Sequence, residues 1–194
     1  MLIFNAEEHK YINDGKVIPS VTEVIRFLSV DVAASANKEM RNAAAERGTR
    51  IHEACTAYDF VPQCEVDGDI VGYVQGYAAF KRDYCIKDWE RFESILGNEY
   101  YAGTLDRYGK LDGIPTVLDI KTGSRLHMKV HTVQLAGYAK LLLENNHPVA
   151  QGAILQLKKN GTYTLKTVSD DELADAYFIF KRCLELHNYL KGGM

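Results

Sequence analysis

The sequence has few cysteines, and they are widely spaced. Cys55, Cys64, Cys85 and Cys183 are the four among 194 residues, and no two of them form a Cys-x-x-Cys pair. That spacing argues against a zinc knuckle and against an iron–sulfur cluster held by neighbouring thiolates. Scattered cysteines are typical of free thiols in a reducing compartment, so we expect a cytoplasmic protein.

Long apolar runs and an excess of positive charge are also missing. No run of roughly 18 apolar residues occurs, so we expect no membrane span, and the N-terminus lacks the pattern of a signal peptide. The formal net charge of -3 does not indicate the basic surface that non-specific DNA binding usually needs. A carboxylate cluster lowers net charge without weakening a basic groove elsewhere, so nucleic acid stays open as a partner.

The composition is that of one globular domain, which we expect to span residues 1–194. Hydrophobic residues make up 46% and charged residues 25%. A turn signal at Asn13-Asp14-Gly15 predicts a small N-terminal β-hairpin ending at Pro19. A helical segment follows to about residue 85, with helices predicted from Ser20, over 35–58 and over 69–84. Gly48 lies inside the second helix, which is either interrupted there or makes a close contact.

The pattern then changes to short strands. Residues 89–96, 100–108 and 114–120 are rich in β-branched and aromatic residues and predict an antiparallel meander. A helix is predicted over 130–145, strands over 150–157 and 163–168, and a last helix from Ser169 to about residue 190. Capping boxes pair Ser20 with Glu23 and Ser169 with Glu172. This order predicts an α/β (α+β) fold with a central mixed β-sheet flanked by helices.

The residues with the clearest chemistry are Asp106, Asp119 and Lys121. Side chains at i and i+2 of a strand share a face, so Asp119 and Lys121 project together. A neighbouring strand joined by a short turn can bring Asp106 beside them. Two close carboxylates resist ionisation unless a cation neutralises them, and oxygen ligands select hard ions such as Mg²⁺ or Mn²⁺. A lysine beside the metal can orient or help deprotonate the attacking water.

Five motifs in a fixed order resemble those of one nuclease branch. They are Pro19-Ser20-Val21-Thr22, Gly48-Thr49-Arg50-Ile51-His52-Glu53, Gly103-Thr104-Leu105-Asp106, Asp119-Ile120-Lys121-Thr122-Gly123 and Gln134-x-x-x-Tyr138. The set resembles the RecB-type exonuclease branch of the PD-(D/E)XK nuclease superfamily, including phage-type members and mitochondrial genome maintenance exonucleases. The resemblance implies a restriction-endonuclease-like core and a metal-dependent DNA nuclease, expected to be an exonuclease on single strands or duplex ends.

The resemblance also implies a role for individual residues. His52 would bind the metal together with Asp106 and Asp119, and the backbone carbonyl of Ile120 would be a fourth ligand. Imidazole in the ligand set makes Mn²⁺ at least as plausible as Mg²⁺. Members of the branch with an iron–sulfur cluster use three clustered downstream cysteines. Only Cys183 lies downstream here, so no iron–sulfur cluster is expected.

Other side chains are candidates for binding the nucleic acid or supporting the site. Gln134 and Tyr138 are at i and i+4 of a helix, and the resemblance implies that they contact the nucleic-acid backbone. Glu93 precedes the catalytic strands and could reach the site. Four basic residues on the preceding helix could contact phosphates, although a solvated helix face is equally consistent with them: Lys38, Arg41, Arg47 and Arg50.

Two other functions stay open at this point. The first is a non-catalytic nucleic-acid-binding module of a recombination or replication complex, against which the intact Asp-x-Lys and His52 argue. The second is a metal-dependent hydrolase of a small molecule, because metal chemistry of this kind is not specific to one substrate. Recombination or replication proteins are possible partners of a nuclease as well.

Overall fold

The computed structural model describes residues 1–29, 38–62 and 65–192. At the N-terminus, β1 (Leu2–Asn5), β2 (Lys10–Asn13) and β3 (Lys16–Ile18) form an antiparallel sheet in that order. The prediction of a two-stranded hairpin therefore missed one strand of this three-stranded sheet. Its turn signal joins β2 to β3, where Asp14 and Gly15 both have positive φ values of 47° and 78°, as a two-residue hairpin turn requires.

The central sheet is mixed and contains five strands. They are β4 (Arg91–Gly97), β5 (Ala102–Leu111), β6 (Ile114–Lys121), β7 (Gln151–Leu157) and β8 (Tyr163–Ser169), adjacent in sequence order. Neighbouring strands are antiparallel except β6 and β7, which are parallel. A parallel pair needs a crossover, and the helix predicted between these strands provides it. The predicted fold class is confirmed.

The described helices lie in the segments that the sequence patterns predict. They are α1 (Val21–Val24), which continues into a 3₁₀ helix (Ile25–Ser29), α2 (Lys38–Phe60), α3 (Val71–Asp83), α4 (Met128–Glu144) and α5 (Asp170–Leu190). Both capping boxes are present, at Ser20 with Glu23 and at Ser169 with Glu172. α2 runs through Gly48 as one helix, and the part of its prediction at 35–37 lies outside the described residues. Within the described ranges, no helix is long and apolar enough to cross a membrane.

Two apolar cores lie on opposite faces of the central sheet. Val117 packs into the core with α1, α4 and α5, whereas its neighbour Leu118 packs into the core with α2 and α3. This alternation is the two-residue period of a strand covered on both faces. The end of β6 is therefore reached by α2 from one face and by α4 from the other.

α3 packs with its backbone close to the turn between β7 and β8. A Cβ atom at Gly72 would lie 1.8 Å from the carbonyl oxygen of Lys159, and one at Gly76 would lie 2.9 Å from that of Thr162. Only glycine allows such an approach. The contact fixes α3 against the sheet and holds Tyr77, the next residue along, in the core that α3 shares with α2.

Candidate active site

The two predicted carboxylates lie where β5 and β6 stop pairing through their backbones. The ladder runs from Leu111 opposite Ile114 to Arg107 opposite Leu118. Next in register come Asp106 and Asp119. There Asp106 binds β6 through its side chain instead, because its Oδ2 accepts a hydrogen bond from the backbone N–H of Ile120 at 2.6 Å. The side chain thus replaces a ladder bond and is held at the strand end.

His52 on α2 reaches the same point from one face of the sheet. Its Nε2 lies 3.2 Å from the carbonyl oxygen of Ile120, and its Nδ1 lies 3.5 Å from Oδ1 of Asp106. Burial by itself would lower the pKa of His52, but the carboxylates of Asp106, Asp119 and Glu93 outweigh it and raise the pKa to about 9. In the metal-free protein, the protonated ring can donate to both neighbours.

Glu93 on β4 is held in an unusual backbone conformation. Its φ is 41°, in the left-handed region that few residues other than glycine adopt. Its Oε1 lies 4.0 Å from Nδ1 of His52 and 3.0 Å from Nη1 of Arg107. Partial burial and the charge of Asp106 raise the pKa of Glu93, although Arg107 and His52 oppose them. The structure therefore brings Glu93 to the site, as its position before the catalytic strands suggested.

Asp119 and Lys121 form an ion pair that Gln134 supports from the other face of the sheet. Lys121 Nζ lies 2.7 Å from Oδ2 of Asp119 and donates to Oε1 of Gln134 at 3.1 Å. Gln134 in turn donates from Nε2 to Oδ1 of Asp119 at 3.0 Å. The side-chain amide thus bridges the two groups and fixes their orientation.

Burial and charge set the protonation of this pair. Burial, assisted by Asp106, raises the pKa of Asp119 to about 6 despite the nearby Lys121 ammonium. Burial would lower the pKa of Lys121, but the carboxylates of Asp119 and Asp106 outweigh it and raise that pKa. The lysine is therefore a cation in the metal-free site, and Asp119 holds a proton more readily than an exposed aspartate does.

Gln134 and Tyr138 are less exposed than residues that contact a nucleic-acid backbone usually are. Both are buried, and Gln134 makes the two bonds just described. Tyr138 packs against Gly103, where a Cβ atom would lie 2.6 Å from Cε1 of the tyrosine ring. Both residues still line the cleft of the site, so contact with a nucleic-acid backbone stays a prediction for each.

The basic residues of α2 differ in their ion pairs and in their burial. Arg50 is engaged by the loop before α3, since its guanidinium donates to Asp67 at 2.7 Å and to Asp69 at 2.8 Å and 3.0 Å. These ion pairs raise the pKa of Arg50 and compete with any phosphate for its donors. Arg47 is partly buried, and the side chains of Lys38 and Arg41 lie outside the described part of the chain. Binding of nucleic acid by Arg50 stays a prediction.

A buried guanidinium behind the site was missed in the sequence. The side chain of Arg107 has no exposed surface, although it lies next to Asp106 on a strand. It donates to five groups at 2.7–3.1 Å: Asp59, Tyr77, Glu93, the Asp106 carbonyl and Thr56. Asp59 also contacts Lys81 at 2.5 Å. A charged residue among Leu105 and Tyr108, both buried, was the available signal for such a network.

These residues meet at a cleft of about 570 Å³. His52, Asp106, Asp119 and Lys121 line it together with Glu93 and Gln134. The lining from α2 includes small residues, Ala44, Ala45 and Gly48, and the N-terminal sheet also contributes to the lining. A linear substrate could therefore approach the carboxylates closely from the α2 side.

The donor atoms of the site suit a hard divalent cation. His52, Glu93 and Asp106 each offer one ligand atom, and these atoms lie within 4.8 Å of one another. The predicted side-chain ligands were His52, Asp106 and Asp119. This group of three contains Glu93 instead of Asp119. Among the described residues, Oδ2 of Asp119 is buried without a hydrogen-bond partner, and its close neighbour is the Lys121 ammonium. Carboxylate, imidazole and carbonyl donors of this kind fit Mg²⁺ or Mn²⁺.

Comparison with known proteins rests on structure. No protein-family model matches the sequence, and no curated protein matches it either. The chain is similar to the crystal structure of a "putative exonuclease" from Eubacterium rectale, with a TM-score of 0.50 and 15% identity over 75% of this chain and 67% of that one. A "phage related exonuclease" from Haemophilus somnus has a TM-score of 0.43 and 12% identity, over 90% of this chain and 95% of that one.

The first of these similarities defines the class of fold. The five-stranded mixed sheet with helices on both faces is shared with the Eubacterium rectale protein, and it is the core that the motifs predicted. The chain therefore shares the fold of that protein, which is consistent with the PD-(D/E)XK-type core that the motifs predicted. Within that fold, the five motifs of the sequence converge on one cleft.

Proposed function

We propose that this protein is a metal-dependent DNA nuclease, an exonuclease that hydrolyses phosphodiester bonds of single-stranded DNA or duplex ends. One observation carries the proposal. His52, Asp106, Asp119 and Lys121, which lie on α2, β5 and β6, line a single cleft in a fold shared with a protein described as an exonuclease. We further propose that residues 1–194 act as one nuclease domain.

The residues have distinct roles in this proposal. His52, Asp106, Asp119 and the Ile120 carbonyl would hold Mg²⁺ or Mn²⁺, with Glu93 as an added ligand. When bound, such an ion polarises a phosphate and lowers the pKa of water. The carboxylates give the partly buried site a negative charge. That charge disfavours binding of a phosphate unless a cation is present.

Lys121 would orient the attacking water or the phosphate. Its ammonium is held by the Asp119 carboxylate and the Gln134 amide oxygen, and its side chain lines the cleft. Because the lysine is held on two sides, little reorganisation is needed when substrate arrives. Gln134 acts by positioning both residues of the Asp-x-Lys pair.

DNA is the proposed partner. Binding to recombination or replication proteins stays a prediction, and so does a cytoplasmic location. A non-catalytic binding module is the alternative. The Gln134 bridge favours catalysis over that alternative, because it orients a lysine beside a carboxylate, which a binding surface does not require.

The decisive experiment is hydrolysis of end-labelled single- and double-stranded DNA with Mn²⁺ or Mg²⁺. We expect the wild type to shorten DNA from an end and chelation by EDTA to stop the reaction. Lys121→Ala is expected to abolish cleavage, and Lys166→Ala, an exposed lysine on β8, should cleave as the wild type does. If the wild type and Lys121→Ala bind DNA equally and leave it intact, the protein is a binding module.

A further inference from the structure

The N-terminal sheet supplies one wall of the catalytic cleft. Phe4 and Tyr11, from β1 and β2, and His9, from the loop between them, line the same cleft as Asp106 and Asp119. None of these three residues belongs to the motifs of the sequence or to the proposed chemistry. The wall is therefore a part of the site without an assigned purpose.

This wall is fastened directly to the catalytic strand. The hydroxyl of Tyr11 is hydrogen-bonded to Oγ1 of Thr104 at 2.8 Å, and Thr104 lies two residues before Asp106 on β5. The backbone N–H of Ala102 also donates to the carbonyl of Pro19 at 3.0 Å, which ties the end of the small sheet to the start of β5. A group resting on the wall is thus held at a fixed distance from the carboxylates.

From Tyr11 the wall continues outward as a row of rings. Phe4 lies opposite Tyr11 in the β1–β2 register, with ring centroids 4.7 Å apart. The imidazole of His9 meets the Phe4 ring edge-on, with centroids 5.2 Å apart. Tyr11 is buried, Phe4 is half-buried and His9 is exposed, so the accessible part of the row is formed by Phe4 and His9.

The backbone conformation of His9 belongs to the loop between β1 and β2. Its φ is 52°, in the left-handed region that histidine enters more readily than most residues, and Asn5 and Lys10 on either side of the loop are paired. The exposed imidazole thus lies beside the half-buried Phe4 ring, and both line the cleft.

We propose that Phe4 and His9 form a stacking subsite for one nucleobase of a single-stranded substrate. Aromatic rings bind bases of any sequence because every base has a flat π-face. A paired base has both faces covered by its neighbours in the duplex, so the subsite selects unstacked strands or frayed ends. The inference rests on the proposed nuclease function and names the form of its substrate.

The test is equilibrium binding of fluorescein-labelled single-stranded oligonucleotides in Ca²⁺, measured by fluorescence anisotropy. We expect Phe4→Leu, which keeps the apolar packing of the sheet, to raise Kd about fivefold, the lower end of the contribution of one stacked base. His9→Ala, at an exposed position, should also raise Kd. Phe178→Leu removes a ring that is 62% exposed on α5 and should leave Kd unchanged.

Abasic substitution locates the base. In the wild type, removing the base at one position of the oligonucleotide should raise Kd by a similar factor, and in Phe4→Leu the same substitution should have no further effect. If the penalty of that abasic site persists in both Phe4→Leu and His9→Ala, the subsite is refuted. Hydrolysis in Mn²⁺ is scored separately, so failure of the nuclease proposal with an intact stacking effect is a distinct outcome.

Discussion

Replacing Arg107 with methionine is expected to destabilise the fold strongly. Methionine fills a comparable volume but donates no hydrogen bond, so the carboxylates of Asp59 and Glu93 lose their shared counter-ion. Removing one partner of a buried ion pair costs about 3–5 kcal/mol. Lys81 still contacts Asp59, and Glu93 is 36% exposed, so we expect a loss near the lower bound, about 3 kcal/mol.

Urea unfolding followed by tryptophan fluorescence measures this loss directly. Trp89 is the single tryptophan, and its indole N–H donates to the Tyr77 hydroxyl at 2.8 Å, inside the network that Arg107 joins. The free energy of unfolding comes from linear extrapolation to water. Arg182→Met is the matched control, because Arg182 is exposed on α5 and pairs with Glu185 three residues away. Equal midpoints for Arg107→Met and Arg182→Met would refute the proposed importance of the network.

Four further predictions concern the site and its support. Gly72→Ala should lower the midpoint of thermal unfolding, because a backbone carbonyl occupies the space of the new Cβ, and Gly68→Ala, where that space is open, should not. At pH 7.5, Mn²⁺ binding should release about one proton, since His52, with a pKa of about 9, must lose it to become a ligand. Calorimetry in two buffers of different ionisation enthalpy measures this proton, and its persistence in His52→Asn would contradict the assignment. Because the folded pKa of His52 is raised from 6.5, the metal-free protein should also lose stability as pH rises from about 6.5 through 9. Gln134→Leu should lower kcat on DNA about tenfold or more with little change in KM, whereas a rise in KM alone would make Gln134 a substrate contact.

The order of helices and strands could be predicted because it depends on patterns of residues that are close in the sequence. Runs of β-branched and aromatic residues predicted the strands of the central sheet, and the boxes at Ser20 and Ser169 marked where two helices begin. The pairing of Asp119 with Lys121 followed from the two-residue period of a strand. Each of these inferences needs only residues a few positions apart.

What could not be predicted depends on residues far apart in the sequence. Arg107 is explained by Asp59, 48 positions away, and by Tyr77, 30 positions away, and no local pattern relates them. The N-terminal strands were expected as a small hairpin, and their contact with Thr104 could not be foreseen because Tyr11 lies 93 positions from it. The resemblance implied that Gln134 contacts the nucleic acid, which stays a prediction. Its bridge between Asp119 and Lys121 was not foreseen, because a helical period shows which residues share a face and not what lies opposite them.

The dispersed origin of the proposed metal ligands has a thermodynamic consequence. His52 and the Ile120 carbonyl are separated by 68 positions, and the other donors come from β4, β5 and β6, so the unfolded chain contains no preassembled site. An ion that binds the folded state alone adds its full binding free energy to stability, about 2.7 kcal/mol at roughly 100 times Kd. Cellular Mn²⁺ or Mg²⁺ would then govern how long the protein survives proteolysis as well as whether it is active.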